Sequence, residues 1–172
     1  IRDSLTTYPL YPYLQYRQIT DDLMNQPALV VTNFIAANPT LPPARSLKSR
    51  FVNELARRDD WRGLLAFSPE KPTGTEAQCN YYYAKWNVGQ TQEAWDGAKA
   101  LWLSGKSQPN ACDRLFGAWR ASGQQDPLAY LERIRLAMKA GNTSLVRVLA
   151  QQMPSDYQTI ATAVIALAND CL

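Results

Sequence analysis

The sequence contains no histidine, and this absence removes more chemistry than any other feature of its composition. Without imidazole there is no histidine general base, no Ser-His or Cys-His nucleophile pair, and few of the usual zinc sites. The three cysteines, Cys79, Cys112 and Cys171, show no CxxC spacing, so neither a zinc knuckle nor a thioredoxin-type motif is indicated. We therefore expect no metal and no cofactor. The spacing leaves two possibilities open: three free thiols, or one bonded pair and one cysteine left over.

Long hydrophobic runs and a strong charge are also missing. No run of 18 apolar residues occurs, and the apolar tail 161–168 is too short to cross a membrane, so it indicates a buried helix. The net charge is only +3, and acidic residues interrupt the densest basic stretch, which indicates a solvated helix face rather than a nucleic-acid site. Its basic residues are Arg45, Lys48, Arg50, Arg57, Arg58 and Arg62. We predict no membrane span and no nucleic-acid partner.

The chain begins with Ile1 and shows no signal peptide, so we interpret it as a processed or excised piece of a longer protein. It has 172 residues, of which 46% are apolar and 19% charged, so it can form a real core and is not expected to be disordered.

Caps, apolar stripes and Gly or Pro breaks divide the chain into about ten short helices. The third of them, from about Pro43 to Arg58, is predicted to carry Leu47, Phe51 and Leu55 on one apolar stripe. Asp126-Pro127 is a cap followed by a first-turn proline, and Thr75 with Gln78 is a candidate capping box. The segment VVTNFI near Val30 is β-prone in composition but lies between proline breaks at helix length, so we predict a helix there. The last helix is expected to expose an apolar set, namely Ile160, Val164 and Leu167.

A loose internal repeat relates these helices. The turn residues Asp59, Gly89 and Gly123 are 30 and 34 positions apart, a period typical of stacked helix pairs of the tetratricopeptide type. Short turns make consecutive helices pack antiparallel. The predicted fold is therefore all-α, a superhelical stack of antiparallel helix hairpins, or α-solenoid.

Neither the acids nor the aromatic residues indicate an active site. The five glutamates, Glu54, Glu70, Glu76, Glu93 and Glu132, lie on charged faces or in turns, whereas a glycosidase-like acid needs an apolar pocket. The tyrosine-rich clusters could stack on sugars, but packing between helices is the favoured interpretation. They comprise Tyr8, Tyr11, Tyr13 and Tyr16, then Tyr81, Tyr82, Tyr83 and Trp86. We predict no catalytic residue.

Four segments point to a family: YPLYPYLQYRQITDDLMNQPA, NPTLPPARSLKSRFVNELARRDDWRGLLAFSPEKP, EAQCNYYYAKWN and GKSQPNACDRLFGAWRASGQQDPLAYLERIRLAMKAGNT. From about Tyr8 to Asn169 the chain resembles the large soluble lytic murein (peptidoglycan) transglycosylases of Gram-negative bacteria. That family cleaves the bond between N-acetylmuramic acid and N-acetylglucosamine without water and leaves a 1,6-anhydro ring. Its members carry a lysozyme-like catalytic domain on a ring-shaped superhelix.

The resemblance implies that residues 1–172 are a single segment of the superhelical region, without the catalytic domain. The family's Glu-Ser pair and GLMQ-type stretch are both absent, and the tail at Cys171 departs from the family pattern. The implied function is a non-catalytic scaffold in the periplasm, with glycan strands, and possibly other cell-wall proteins, as partners. The alternative is a helical-repeat adaptor that binds a peptide or another protein.

A disulfide between Cys79 and Cys112 is the one site predicted. Cys79 lies four residues after Thr75 and Cys112 four after Gln108, so both occupy corresponding places in helices separated by one returning helix. The resemblance supports the bridge, because the family is periplasmic and carries a bonded pair at the matching positions. Two buried free thiols are the alternative, and Cys171 is expected to be free.

Overall fold

The computed structural model describes residues 6–170, and within that range it contains ten α-helices, two 3₁₀ turns and no β-strand. The helices are α1 (Tyr11–Asp21), α2 (Ala28–Ala37), α3 (Pro42–Arg57), α4 (Trp61–Phe67), α5 (Thr75–Asn87), α6 (Thr91–Trp102), α7 (Ala111–Ala121), α8 (Pro127–Lys139), α9 (Thr143–Gln152) and α10 (Gln158–Asp170). The 3₁₀ turns are Leu23–Asn25 and Ser155–Tyr157. The predicted all-helical content is confirmed, including the helix that contains the β-prone segment near Val30.

The helices form two compact units, Ile1–Gly89 and Gln90–Leu172. In the first unit α3 is central and packs against α2, α4 and α5. In the second unit α6 packs against α7 and α8, α8 against α9, and α9 against α10. Within each unit, helices that follow one another in sequence are mostly neighbours in space, as short connecting turns require.

The apolar stripe predicted on α3 is the core of the first unit. Leu47 and Phe51 are fully buried and Leu55 is 2% exposed, with one helical turn between successive members. The Phe51 ring meets the edge of Phe67 with centroids 4.9 Å apart. Burial of such side chains is the main favourable contribution to folding, so this stripe holds the hairpins of the unit together.

Two helix caps were predicted from the sequence, at Asp126 for α8 and at Thr75 for α5, and the structure confirms only the first. The Asp126 carboxylate accepts a hydrogen bond from the Leu128 backbone N–H at 2.9 Å, so the cap of α8 is confirmed. The capping box at Thr75 is wrong, because Thr75 is already the first residue of α5 and its side chain is not the cap. The Gln78 side-chain amide instead donates to the Pro72 carbonyl at 3.1 Å, which fastens the preceding loop to the helix.

The three turn residues of the internal repeat share one backbone conformation. Asp59, Gly89 and Gly123 all lie in the left-handed region, with φ of 56°, 88° and 74°. Each donates its N–H to the carbonyl three residues earlier, at 3.0–3.1 Å. This geometry ends a helix and reverses the chain, and glycine adopts it without the penalty that a side chain incurs. The sequence period therefore has a structural counterpart at each of the three turns.

Helix α10 exposes most of the apolar set predicted for it. Ile160 is 42% and Leu167 is 56% exposed, whereas Val164 is half-buried. Ala161 is buried on the face that packs against α9. The exposed side of α10 is therefore more apolar than a solvated helix face ordinarily is.

Candidate functional site

Two of the five glutamates pair with arginines, and the other three are exposed. Glu54 accepts hydrogen bonds from Arg57 at 2.9 and 3.1 Å, and these bonds hold the pKa of its carboxyl below the usual value. Glu132 is paired with Arg135 in the same way, and its pKa is also lowered. Glu70, Glu76 and Glu93 are exposed. A general acid needs a carboxyl with a raised pKa in an apolar pocket, whereas arginines lower the pKa of both Glu54 and Glu132.

The ion pair of Glu54 makes a testable contribution to stability. A carboxyl whose pKa is lowered on folding stabilises the protein above its unfolded-state pKa, and this stabilisation is lost as pH falls through the folded-state pKa. We expect Glu54→Gln to cost about 0.2–1 kcal/mol at neutral pH and progressively less in acid, where Glu54 itself becomes neutral. Urea unfolding of both proteins across this pH range measures the difference.

The matched control is Glu70→Gln, which neutralises an exposed carboxylate in the loop between α4 and α5. It should change stability by less than Glu54→Gln at neutral pH. An effect of Glu54→Gln that stays constant from neutral to acidic pH would show that the ion pair is not its source.

The aromatic clusters mainly pack within the first unit. Tyr81 is buried and its hydroxyl donates to the Pro69 carbonyl at 3.1 Å. The Tyr83 ring meets Trp61 edge-on, with centroids 5.1 Å apart. In the N-terminal cluster Tyr16 accepts a hydrogen bond from Arg50 at 2.7 Å, whereas Tyr8 and Tyr13 are 57% and 43% exposed. The packing interpretation is therefore confirmed for Tyr81 and Tyr83.

The second unit contains a cavity of about 450 Å³ that the sequence did not indicate. Its walls come from the end of α6, the following loop, and helices α7, α8 and α9. The lining residues are Trp102, Ser107, Gln108, Asp113, Phe116, Arg120, Arg133, Ser144, Leu145, Val148, Leu149 and Gln152. Five of these residues are aromatic or aliphatic and seven are polar or charged, and the charged ones are Asp113, Arg120 and Arg133.

Arg133 is the most unusual residue of this cavity. It is only 4% exposed, and its Nε and Nη1 have no hydrogen-bond partner among the described residues. Its guanidinium carbon lies 4.3 Å from the centre of the Trp102 ring and 5.4 Å from that of Phe116. Burial lowers the pKa of Arg133 to about 10, so the side chain is still cationic at neutral pH. The aromatic faces attract this charge but supply no hydrogen-bond acceptor in the plane of the guanidinium.

A second cavity, of about 290 Å³, adjoins the first, because Arg120 and Gln152 line both. The side-chain amide of Gln125 lines this second cavity and is buried without a hydrogen-bond partner among the described residues. The buried hydroxyl of Tyr130 also lines it, and Arg120 interacts with that hydroxyl. Burial raises the pKa of Tyr130, and the charge of Arg120 offsets only part of this rise. The phenol therefore stays protonated and is available as a donor.

Arg133 was not predicted as a site residue, but the residue spacing on α8 carries a signal for it. Tyr130, Arg133, Ile134 and Ala137 follow the helical spacing of a buried face, and all four are buried in α8. An arginine on such a stripe is rare because a buried cation needs a partner. The spacing indicates the burial of Arg133, but the cavity beside it depends on how α7, α8 and α9 are arranged.

The cysteines lie in α5 and α7, as predicted. Cys79 and Cys112 are fully buried, and both are disulfide-bonded. This state agrees with the predicted bridge and not with two buried free thiols. The expectation that Cys171 is free concerns a residue outside the described part of the chain.

Residues 6–170 contain no group of three or more cysteine, aspartate or glutamate side chains that could hold a metal ion. No helix of this range is long and apolar enough to cross a membrane. The basic stretch from Arg45 to Arg62 is exposed at each of its six arginines and lysines, as expected of a solvated helix face.

Residues 6–170 thus belong to the class of all-α proteins built from packed helix pairs, and the second unit contains a polar cavity. No protein-family model matches the chain. It is 82% identical over 167 residues to the soluble lytic murein transglycosylase of Escherichia coli strain K12, and this match covers 97% of the chain but 26% of that relative.

Solved structures agree with this match. The chain resembles the 70-kDa soluble lytic transglycosylase from Escherichia coli with a TM-score of 0.95 and 81% identity, over 98% of this chain and 27% of that one. An inactive mutant of the lytic transglycosylase Slt from Pseudomonas aeruginosa matches with a TM-score of 0.86 and 36% identity, over the same shares. The resemblance and the all-α superhelical fold class are confirmed: the chain is similar to about a quarter of the length of soluble lytic transglycosylases.

Proposed function

We propose that the chain is a non-catalytic scaffold segment of a periplasmic peptidoglycan lytic transglycosylase. The parent enzyme would cleave the bond between N-acetylmuramic acid and N-acetylglucosamine and leave 1,6-anhydromuropeptides. The observation that carries the proposal is the 82% identity to a murein transglycosylase of which the chain spans only 26%. The scaffold would hold glycan strands for a catalytic domain elsewhere in the protein.

The state of the glutamates supports a non-catalytic role. The chemistry of the parent enzyme needs a carboxylic acid that is held protonated next to the glycosidic oxygen. Arginines pair with Glu54 and Glu132 and keep both carboxyls ionised, and the other three glutamates are exposed. No histidine is available to replace them.

The chain alone should therefore release no anhydromuropeptides from purified sacculi, but it should be retained in the sacculus pellet. Chromatography of the soluble products tests the first expectation, with the full-length Escherichia coli relative as the positive control. General acid catalysis alone is worth about 10²–10⁴-fold, so activity would be clearly visible. Release of anhydromuropeptides by the chain would overturn the non-catalytic assignment.

The pellet tests the binding. Retention that increases with the amount of sacculi supports a role on the cell wall. A chain that stays in the supernatant with sacculi but captures a protein-derived peptide would instead be a helical-repeat adaptor, the alternative function predicted from the sequence.

A further inference from the structure

We propose that the cavity between α7, α8 and α9 binds the free carboxylate of a short peptide, with Arg133 as the anion-binding residue. The inference deepens the proposed function and rests on it for the source of the ligand, since murein carries short peptides with free carboxylates. It assigns a ligand to a cavity within the part of the chain proposed as a scaffold.

Arg133 has hydrogen-bonding capacity that its neighbours do not use. A guanidinium has five N–H donors, and those on Nε and Nη1 have no partner among the described residues. Taking a cation out of water is costly unless an anion or acceptors replace the water. The rings of Trp102 and Phe116 attract the charge but accept no hydrogen bond from its N–H groups. The fork of a guanidinium fits a planar, bidentate acceptor such as a carboxylate. Arg120 adds a second positive charge to the same cavity.

The charge balance favours a carboxylate over a phosphate. Asp113 lines the cavity with the two arginines, so the three charged groups sum to a single positive charge. A monoanion neutralises that charge, whereas a phosphate dianion would also be repelled by Asp113. Asp113 can in turn accept a hydrogen bond from a peptide N–H or pair with an ammonium group of the ligand. A planar carboxylate also matches the guanidinium fork in geometry.

The rest of the lining suits the body of a peptide. Leu145, Val148 and Leu149 form an apolar wall for small side chains, and the volume of about 450 Å³ lies within the range of small-molecule sites. The adjoining cavity offers the buried, unpartnered side-chain amide of Gln125 and the O–H donor of Tyr130, which can pair with the N–H and C=O groups of a peptide. Hydrogen-bonding capacity thus continues beyond the position proposed for the carboxylate.

The test uses the 172-residue chain and four probes: N-acetyl-D-Ala-D-Ala, its C-terminal amide, N-acetyl-L-Ala-L-Ala, and inorganic phosphate. NMR titration of the Arg133 Nε–H and the Trp102 indole N–H reports on the cavity directly. We expect the D,D acid to shift both signals at saturable concentrations. The D,D amide should bind about tenfold to hundredfold more weakly, because it lacks the charge that pairs with Arg133.

Arg133→Met should reduce the affinity for the D,D acid by a similar factor, since methionine fills much of the same space without charge or donors. Arg133→Lys keeps the charge but not the fork, so it should bind with intermediate affinity and serves if the methionine variant fails to fold. Arg135→Met is the matched control, because Arg135 is on the same helix, pairs with Glu132 and does not line the cavity. It should bind like the unmodified chain.

Three outcomes would overturn the proposal: equal binding of acid and amide, binding of phosphate as tight as that of the acid, or an unchanged affinity in Arg133→Met. Tighter binding of the L,L acid would overturn the murein source, since a protein C-terminus would then be the better ligand. Failure of the scaffold role is distinguishable, because it appears as loss of sacculus retention whatever the peptide titrations show.

Discussion

Replacing Trp102 with alanine is expected to destabilise the second unit by about 3–5 kcal/mol. Trp102 is only 2% exposed, and its indole N–H donates to the Ala129 carbonyl at 2.9 Å. Its ring meets Phe116 and Tyr130 edge-on, at 5.0 and 4.9 Å between centroids, and carries the guanidinium of Arg133. The substitution therefore creates a large void, removes the hydrogen bond to the Ala129 carbonyl and removes the aromatic ring that stacks on a buried cation.

Urea unfolding measured by circular dichroism checks this expectation. The control is Leu128→Ala in α8, because Leu128 is 64% exposed and its truncation should change stability by no more than about 0.5 kcal/mol. Trp102→Phe should fall between the two, since it keeps most of the ring contacts and loses the hydrogen bond. A loss below about 1 kcal/mol for Trp102→Ala would mean that this tryptophan does not organise the second unit.

The double variant Cys79→Ala/Cys112→Ala is expected to lose about 3–4 kcal/mol relative to the oxidised chain. This figure follows from the entropy of closing a loop of roughly 33 residues in the unfolded state. Both cysteines are fully buried, so replacement by alanine changes side-chain volume little and the loss of the bond dominates. The same loss should appear when the unmodified chain is unfolded with and without a reductant.

The pairing is tested separately from its energetic effect. Thiol counting under denaturing, non-reducing conditions should find one free thiol, and peptide mapping should recover Cys79 and Cys112 in one linked fragment. Cys171→Ala is the control, and it should leave stability unchanged and reduce the thiol count to zero. Three free thiols, or a bond to Cys171, would refute the predicted bridge.

Two glutamates of the chain form ion pairs with arginines, whereas the buried Arg133 forms none among the described residues. Glu54 and Glu132 each form an ion pair with the arginine three residues later in the sequence. Where a cation is buried, in α8, no acidic side chain forms an ion pair with Arg133 among the described residues, and aromatic rings stack on it instead. The proposed scaffold role needs no acid catalyst, and the proposed anion site rests on the unpartnered Nε and Nη1 of Arg133.

Much of the fold could be predicted from the sequence, because helices depend on local spacing. The stripe of Leu47, Phe51 and Leu55 predicted a buried face on α3, and the Asp126-Pro127 pair predicted the start of α8. The turn residues Asp59, Gly89 and Gly123 predicted the ends of three helices, since the left-handed backbone that ends a helix favours particular residue types. Four sequence segments also indicated the similarity to lytic transglycosylases.

Tertiary structure decided the rest. The capping box at Thr75 failed because Gln78 bonds to Pro72 in the preceding loop, and the path of that loop is not a property of helix spacing. The cavity beside Arg133 was not predicted at all, because its walls come from residues as far apart as Trp102 and Gln152. Whether a buried arginine finds an acceptor depends on which atoms neighbouring helices bring within about 3 Å of it, and only packing in three dimensions sets those distances.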